Sequence, residues 1–83
     1  MRITVKLFAI LRERAGTGET ILELPAGATV AAAVSALSAN YSAIAGLIGK
    51  SAFAVNLEYT GADRPLIDGD ELALIPAVSG GGR

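Results

Sequence analysis

The chain has 83 residues, 52% of them hydrophobic and only 5% aromatic, which fits one small domain with a finely divided aliphatic core and excludes a disordered segment. Seven basic and eight acidic residues nearly cancel, so no basic face for nucleic acid is implied. With no His and no Cys, the chain lacks a disulfide, soft metal ligands, a thiol nucleophile and the usual general base, and an enzyme with its own pocket is not expected.

Residues 2–8 alternate polar and apolar, and the start over residues 1–6 lacks the unbroken apolar run of a signal peptide. That period of two predicts a strand with Ile3, Val5 and Leu7 on one face. Phe8 has the opposite parity and should share the face of Arg2, Thr4 and Lys6. Residues 9–15 lose the alternation and suit a short helical turn stopped by Gly16 and Gly18. Residues 19–24 predict a second strand, the hairpin partner of the first, closed by Pro25-Ala26-Gly27. Thr29 is placed to cap a helix running to about Ser38, with Val30, Ala33, Val34, Leu37 and Tyr41 along one stripe. A second short helix is expected over 43–48, ended by Gly49. Residues 52–57 predict a third strand and 60–65 a polar turn region. Leu66-Ile67-Asp68-Gly69-Asp70 then turns tightly into a last strand over 71–75.

This β-β-α-β-β order predicts an α+β roll, a mixed sheet of four to five strands with one main helix on one face. Residues 1–78 are expected to form the domain and 79–83 a flexible glycine-rich tail. No run reaches the roughly 18 apolar residues of a membrane span, and a cytoplasmic protein is expected.

The tail is the first candidate for chemistry. Gly80, Gly81 and Gly82 carry no side chains, so the segment fits a channel too narrow for any other residue. Extended, five residues reach about 17 Å beyond the fold. A terminal glycine carboxylate is also an unhindered electrophile once activated as a mixed anhydride with AMP. Asp68-Gly69-Asp70-Glu71 is acidic enough to suggest a cation site, but it lacks the alternate spacing and distant Glu of an EF-hand loop. It reads instead as a turn with Gly69 at positive φ. Arg12-Glu13-Arg14 suits either an acidic partner or a solvated face. Tyr41, Phe53 and Tyr59 read as core or hairpin packing, whereas an outward Phe8 would mark an interface.

Residues 5–16, Val-Lys-Leu-Phe-Ala-Ile-Leu-Arg-Glu-Arg-Ala-Gly, resemble the opening of the molybdopterin synthase small-subunit (MoaD-like) family of ubiquitin-like sulfur carriers. Residues 66–81, Leu-Ile-Asp-Gly-Asp-Glu-Leu-Ala-Leu-Ile-Pro-Ala-Val-Ser-Gly-Gly, resemble its ending. The resemblance implies a β-grasp fold and a non-catalytic carrier subunit of a sulfurtransferase complex. It implies no bound cofactor. In the family the terminal glycine becomes an acyl-adenylate, made with ATP by a ubiquitin-activating-type adenylyltransferase, and then a thiocarboxylate. It also implies docking on a large subunit, as a heterotetramer, whose active site receives the tail and uses its sulfur to make the dithiolene of molybdopterin. By position, Gly80 and Gly81 match the diglycine, Phe8, Ile75 and Val78 the apolar patch facing partners, and Arg12 a basic residue at its edge. The family pattern ends on its second glycine, whereas this chain continues through Gly82 and Arg83. The working terminus is then Gly81 once two residues are removed, or Gly82 once Arg83 is removed. The alternatives are a carrier for thiamine or cysteine synthesis, or a ubiquitin-like modifier or interaction module.

Overall fold

The alternation at the amino end becomes β1 (Arg2–Leu7), with Ile3, Val5 and Leu7 fully buried, in a computed structural model that describes residues 1–76. The chain continues through α1 (Ala9–Ala15), β2 (Glu19–Glu23), α2 (Val30–Asn40), a 3₁₀ turn (Ser42–Ile44) and α3 (Ala45–Ile48). It closes with β3 (Ser51–Val55), β4 (Glu58–Thr60) and β5 (Glu71–Pro76). The five strands form one sheet in the order β2-β1-β5-β3-β4. β1 and β5 lie side by side and parallel at its centre, and every other pairing is antiparallel. A parallel pair needs a long crossover, and the helices supply it. A mixed sheet grasping one principal helix is the β-grasp roll.

Each strand has one apolar face because side chains alternate. Val5 pairs with Leu72 and Leu7 with Leu74, and Phe53 and Val55 of β3 face the same two leucines. Onto this layer α2 sets Val30, Ala33 and Leu37, all buried, with Val34 and Tyr41 half-buried beside them. The slim alanine stripe lets the helix lie close across the sheet. Leu11 of α1, together with Ile44 and Ile48, closes one end of the core.

The amino end of α2 is fully provided for. The Thr29 hydroxyl accepts from the Ala32 N–H at 3.4 Å, as the spacing predicts. The carbonyls of Arg64 and Ala62 accept from the Val30 and Ala31 N–H groups at 2.9 and 2.8 Å. The polar region after residue 60 is thus the helix's cap as well as a turn, satisfying donors a helix leaves unpaired.

Two local expectations change. The expected third strand ends at Val55, because Asn56 (φ 50°) and Leu57 (φ 73°) form a two-residue turn into β4, a strand that the sequence pattern does not resolve. Such turns usually show Asn-Gly, and the leucine hides the signal. Asp68-Gly69-Asp70 does turn, with Gly69 at φ 88°. Asp70, however, is buried at 5% exposure and serves as a hub. Its carboxylate accepts from Asn56 Nδ2 and from the Ile67 N–H, both at 2.9 Å, while Asn56 Oδ1 accepts from the Glu71 N–H at 3.0 Å.

Candidate functional site

The face of the sheet turned away from α2 carries the side chains of the opposite parity. Following the register, Tyr59 of β4, Ala54 of β3, Ala73 of β5 and Lys6 of β1 form one row across it. The next row contains Ala52 and its partner Ile75, with Phe8 just past the end of β1. Ala54 and Ala73 are buried, yet they lie outside the main core cluster. Their methyls floor a shallow trough rimmed by larger side chains.

Phe8 is 46% exposed, on the outward face that its parity predicts. It stays there because the chain reverses immediately after it. Phe8 is extended, Ala9 adopts φ 52°, and the Leu11 N–H donates to the Phe8 carbonyl at 3.1 Å as α1 begins. Burying Leu11 pulls α1 over the edge of the sheet and leaves the aromatic ring outside. Ile75 is half-buried on the same face.

Arg12 is exposed on α1, and its position is defined by Gly18. A Cβ at residue 18 would lie 3.1 Å from Arg12 Nε, so the glycine leaves room for the guanidinium against the loop. The Gly18 carbonyl accepts from the Leu7 N–H at 2.9 Å, which places Arg12 at the same end of the sheet as Phe8. Pro76, the last described residue, pairs with Ser51 at that end as well. The structure therefore brings Phe8, Arg12 and Ile75 together where β5 finishes. Val78, Gly80, Gly81 and Gly82 lie outside the described residues.

Tyr59 departs from the packing expected of it. It is 73% exposed at the margin of the trough, opposite Ala54. Reading Asn56-Leu57 as a two-residue turn would have given the parity of Glu58-Tyr59-Thr60 and aimed the ring outward. At the other margin Lys6 Nζ lies 3.1 Å from Glu19. The hydrogen bond to Glu19, then its charge, then that of Glu71 hold the Lys6 ammonium above its ordinary value. The described residues enclose no cavity and group no set of metal ligands. What this face offers is a shallow apolar contact area with a cation at its edge.

Residues 5–81 match the ThiS family. The chain belongs to that family. It is 40% identical to the molybdopterin synthase sulfur carrier subunit of Chlamydomonas reinhardtii, with 98% of this chain and 100% of the relative covered. The protein of the same name in Arabidopsis thaliana is 33% identical, over 98% of this chain and 84% of its own. Among solved structures, small archaeal modifier protein 1 of H. volcanii superposes with a TM-score of 0.87 at 29% identity, covering 93% of this chain and 98% of that one. The family assignment agrees with the resemblance of the two terminal segments and with the β-grasp topology.

Proposed function

We propose that this ThiS-family chain is the sulfur-carrier subunit of a molybdopterin synthase and acts in the cytoplasm. The observation that carries the reading is the meeting of Phe8, Ile75 and Arg12 at the end of β5, from which the glycine-rich segment leads. Full-length similarity to two sulfur carrier subunits supports it. In this reading an adenylyltransferase joins the terminal glycine carboxylate to the α-phosphate of ATP and releases pyrophosphate. A sulfur nucleophile then displaces AMP to leave the thiocarboxylate. The trough and Phe8 seat a large subunit, in a heterotetramer, and the glycines bring the sulfur to the pterin precursor in that partner's site. The chain's own role is to present and aim its terminus; the catalytic groups belong to the partners.

Likeness to a small archaeal modifier protein favours one second reading, a modifier joined through its terminus to lysines. Intact-mass measurement separates the two. After incubation with an activating enzyme, ATP and a sulfur donor, the carrier trimmed to end at Gly81 gains the mass change of oxygen replaced by sulfur. That sulfur should then pass to the pterin precursor when the large subunit is added. Accumulation of lysine-linked conjugates without any thiocarboxylate would overturn the carrier reading in favour of the modifier.

A further inference from the structure

Of the five large apolar side chains exposed among the described residues, Phe8, Ile21 and Tyr59 lie on the outer face of the sheet. The other two, Leu57 at 89% and Ile67 at 69% exposure, lie elsewhere. Leu57 tips the β3–β4 turn, where its left-handed backbone favours glycine, so an exposed leucine there carries a local cost with no packing in return. Ile67 lies in the turn before β5. The two segments are tied together, because the Asp70 carboxylate accepts from both Asn56 and the Ile67 N–H.

This apolar pair lies among negative charges. β1 and β5 are parallel, so their starts share one end of the sheet, and antiparallel β3 brings its finish to the same end. Asp63, Asp68, Asp70 and Glu71 all belong to the loops and strand start there. Of their cationic neighbours, Arg2 and Arg64 are engaged with Glu23 and Glu58 at 2.8 and 3.3 Å, and the Met1 ammonium donates to the Leu24 carbonyl at 2.7 Å. At the opposite end the balance reverses. Arg12, Arg14 and Lys50 have no ion-pair partner among the described residues; of the acidic side chains at that end, Glu19 is engaged with Lys6 at 3.1 Å and Glu13 lies beside the two arginines. Lys50 precedes Ser51, the partner of Pro76, and so stands across the end of β5 from Arg12. Phe8 and Ile75 put apolar surface between these cations.

The two ends are thus complementary in charge, and each carries exposed apolar side chains. We propose that this protein self-associates head to tail, the Phe8, Arg12 and Lys50 end of one copy seated on the Leu57, Ile67, Asp63 and Asp68 end of the next. The contact joins two different surfaces, so a pair of copies leaves a free end of each kind and growth continues past the dimer, into a filament or a ring of more than two copies. It also covers the place where β5 finishes, so a partner that uses this place competes with the association. The inference depends on exposed side chains and charge alone and requires neither sulfur chemistry nor any other protein.

Sedimentation equilibrium of the full chain tests it, with two variants chosen to fold. Leu57→Asn puts an uncharged polar residue that tolerates left-handed backbone at the turn, and Lys50→Glu changes an exposed side chain. Wild-type mass should rise with concentration beyond that of a dimer and return to monomer at about 1 M salt, where the Debye length is about 3 Å. Each variant alone should associate at least about tenfold more weakly, as loss of one anchoring side chain entails. Mixing the variants should restore association and stop at a heterodimer, because each retains the intact end that the other lacks. Monomeric wild type at every concentration overturns the proposal. So does a mixture no heavier than its parts, or a wild type that halts at a dimer.

Discussion

Asp70 shows how much one side chain can carry in so small a domain. Its two oxygens bind Asn56 and the Ile67 N–H, and its own carbonyl accepts from the Thr4 N–H at 3.1 Å, which fixes two turns and the start of β5 to β1. Removing a buried acceptor leaves its donors unsatisfied, and bonds to a charged group contribute about 1.5–3 kcal/mol each. With two such bonds, Asp70→Ala is therefore expected to lower unfolding free energy by about 3–6 kcal/mol, read from urea unfolding. A loss below about 0.5 kcal/mol, the size of an ordinary surface change, would mean that the turns hold without it. Lys6 makes a smaller, pH-dependent contribution. Its pKa is raised in the folded state, so the stabilisation is complete below its ordinary value of 10.5 and is lost as pH climbs through the raised value. The stability gap between wild type and Lys6→Gln should accordingly stay constant from neutral pH to that point and shrink above it. A gap that widened in alkali would reverse the sign.

At the scale of elements, α2 is the largest contribution to one side of the core. Leu37 is fully buried against the sheet. Leu37→Ala should cost about 2–5 kcal/mol by thermal or urea unfolding, and unchanged melting would show that the stripe does not pack. That stripe was readable from the chain because helical spacing and the Thr29 cap are local signals. The outward aim of Phe8 was readable for the same reason, since parity along β1 needs only neighbouring residues. The β3–β4 turn was not, because Leu57 occupies a position whose usual mark is glycine; Tyr59 was lost along with it. The Asp70 hub was also hidden, since Asn56 lies 14 residues away and only the fold joins them. The recovered face gives a prediction of its own. Phe8→Ala should weaken binding to the large subunit by about 2 kcal/mol or more, as an anchoring aromatic does, while urea unfolding moves little. Global destabilisation with binding intact per folded molecule would make Phe8 a core residue instead.

At the scale of the whole molecule, the proposed function asks the fold only to hold and present a terminus. A chain of 83 residues buries about 60% of its unfolded surface, which leaves little stability to spare for an internal active site. The chemistry of the proposed function requires only a free glycine carbonyl at the end of a narrow segment. Adenylation and thiolation both act on that terminal carbon, so any residue beyond Gly81 decides whether it is available. Arg83 adds a long cation to a segment otherwise without side chains over residues 80–82. Taking that cation unpaired into a confined site is costly, and its presence moves the terminal carbon away from the glycines. Proteins ending at Gly81, at Gly82 and at Arg83 should then differ when incubated with the activating enzyme, ATP and a sulfur donor. The one ending at Gly81 should take AMP and sulfur most readily, the one ending at Gly82 should come second, and the one that keeps Arg83 should be inert. Intact mass reads all three. Full thiocarboxylation of the form that retains Arg83 would sink the requirement for a terminal glycine, whereas failure of all three would point to a chain that keeps the β-grasp scaffold without the carrier chemistry.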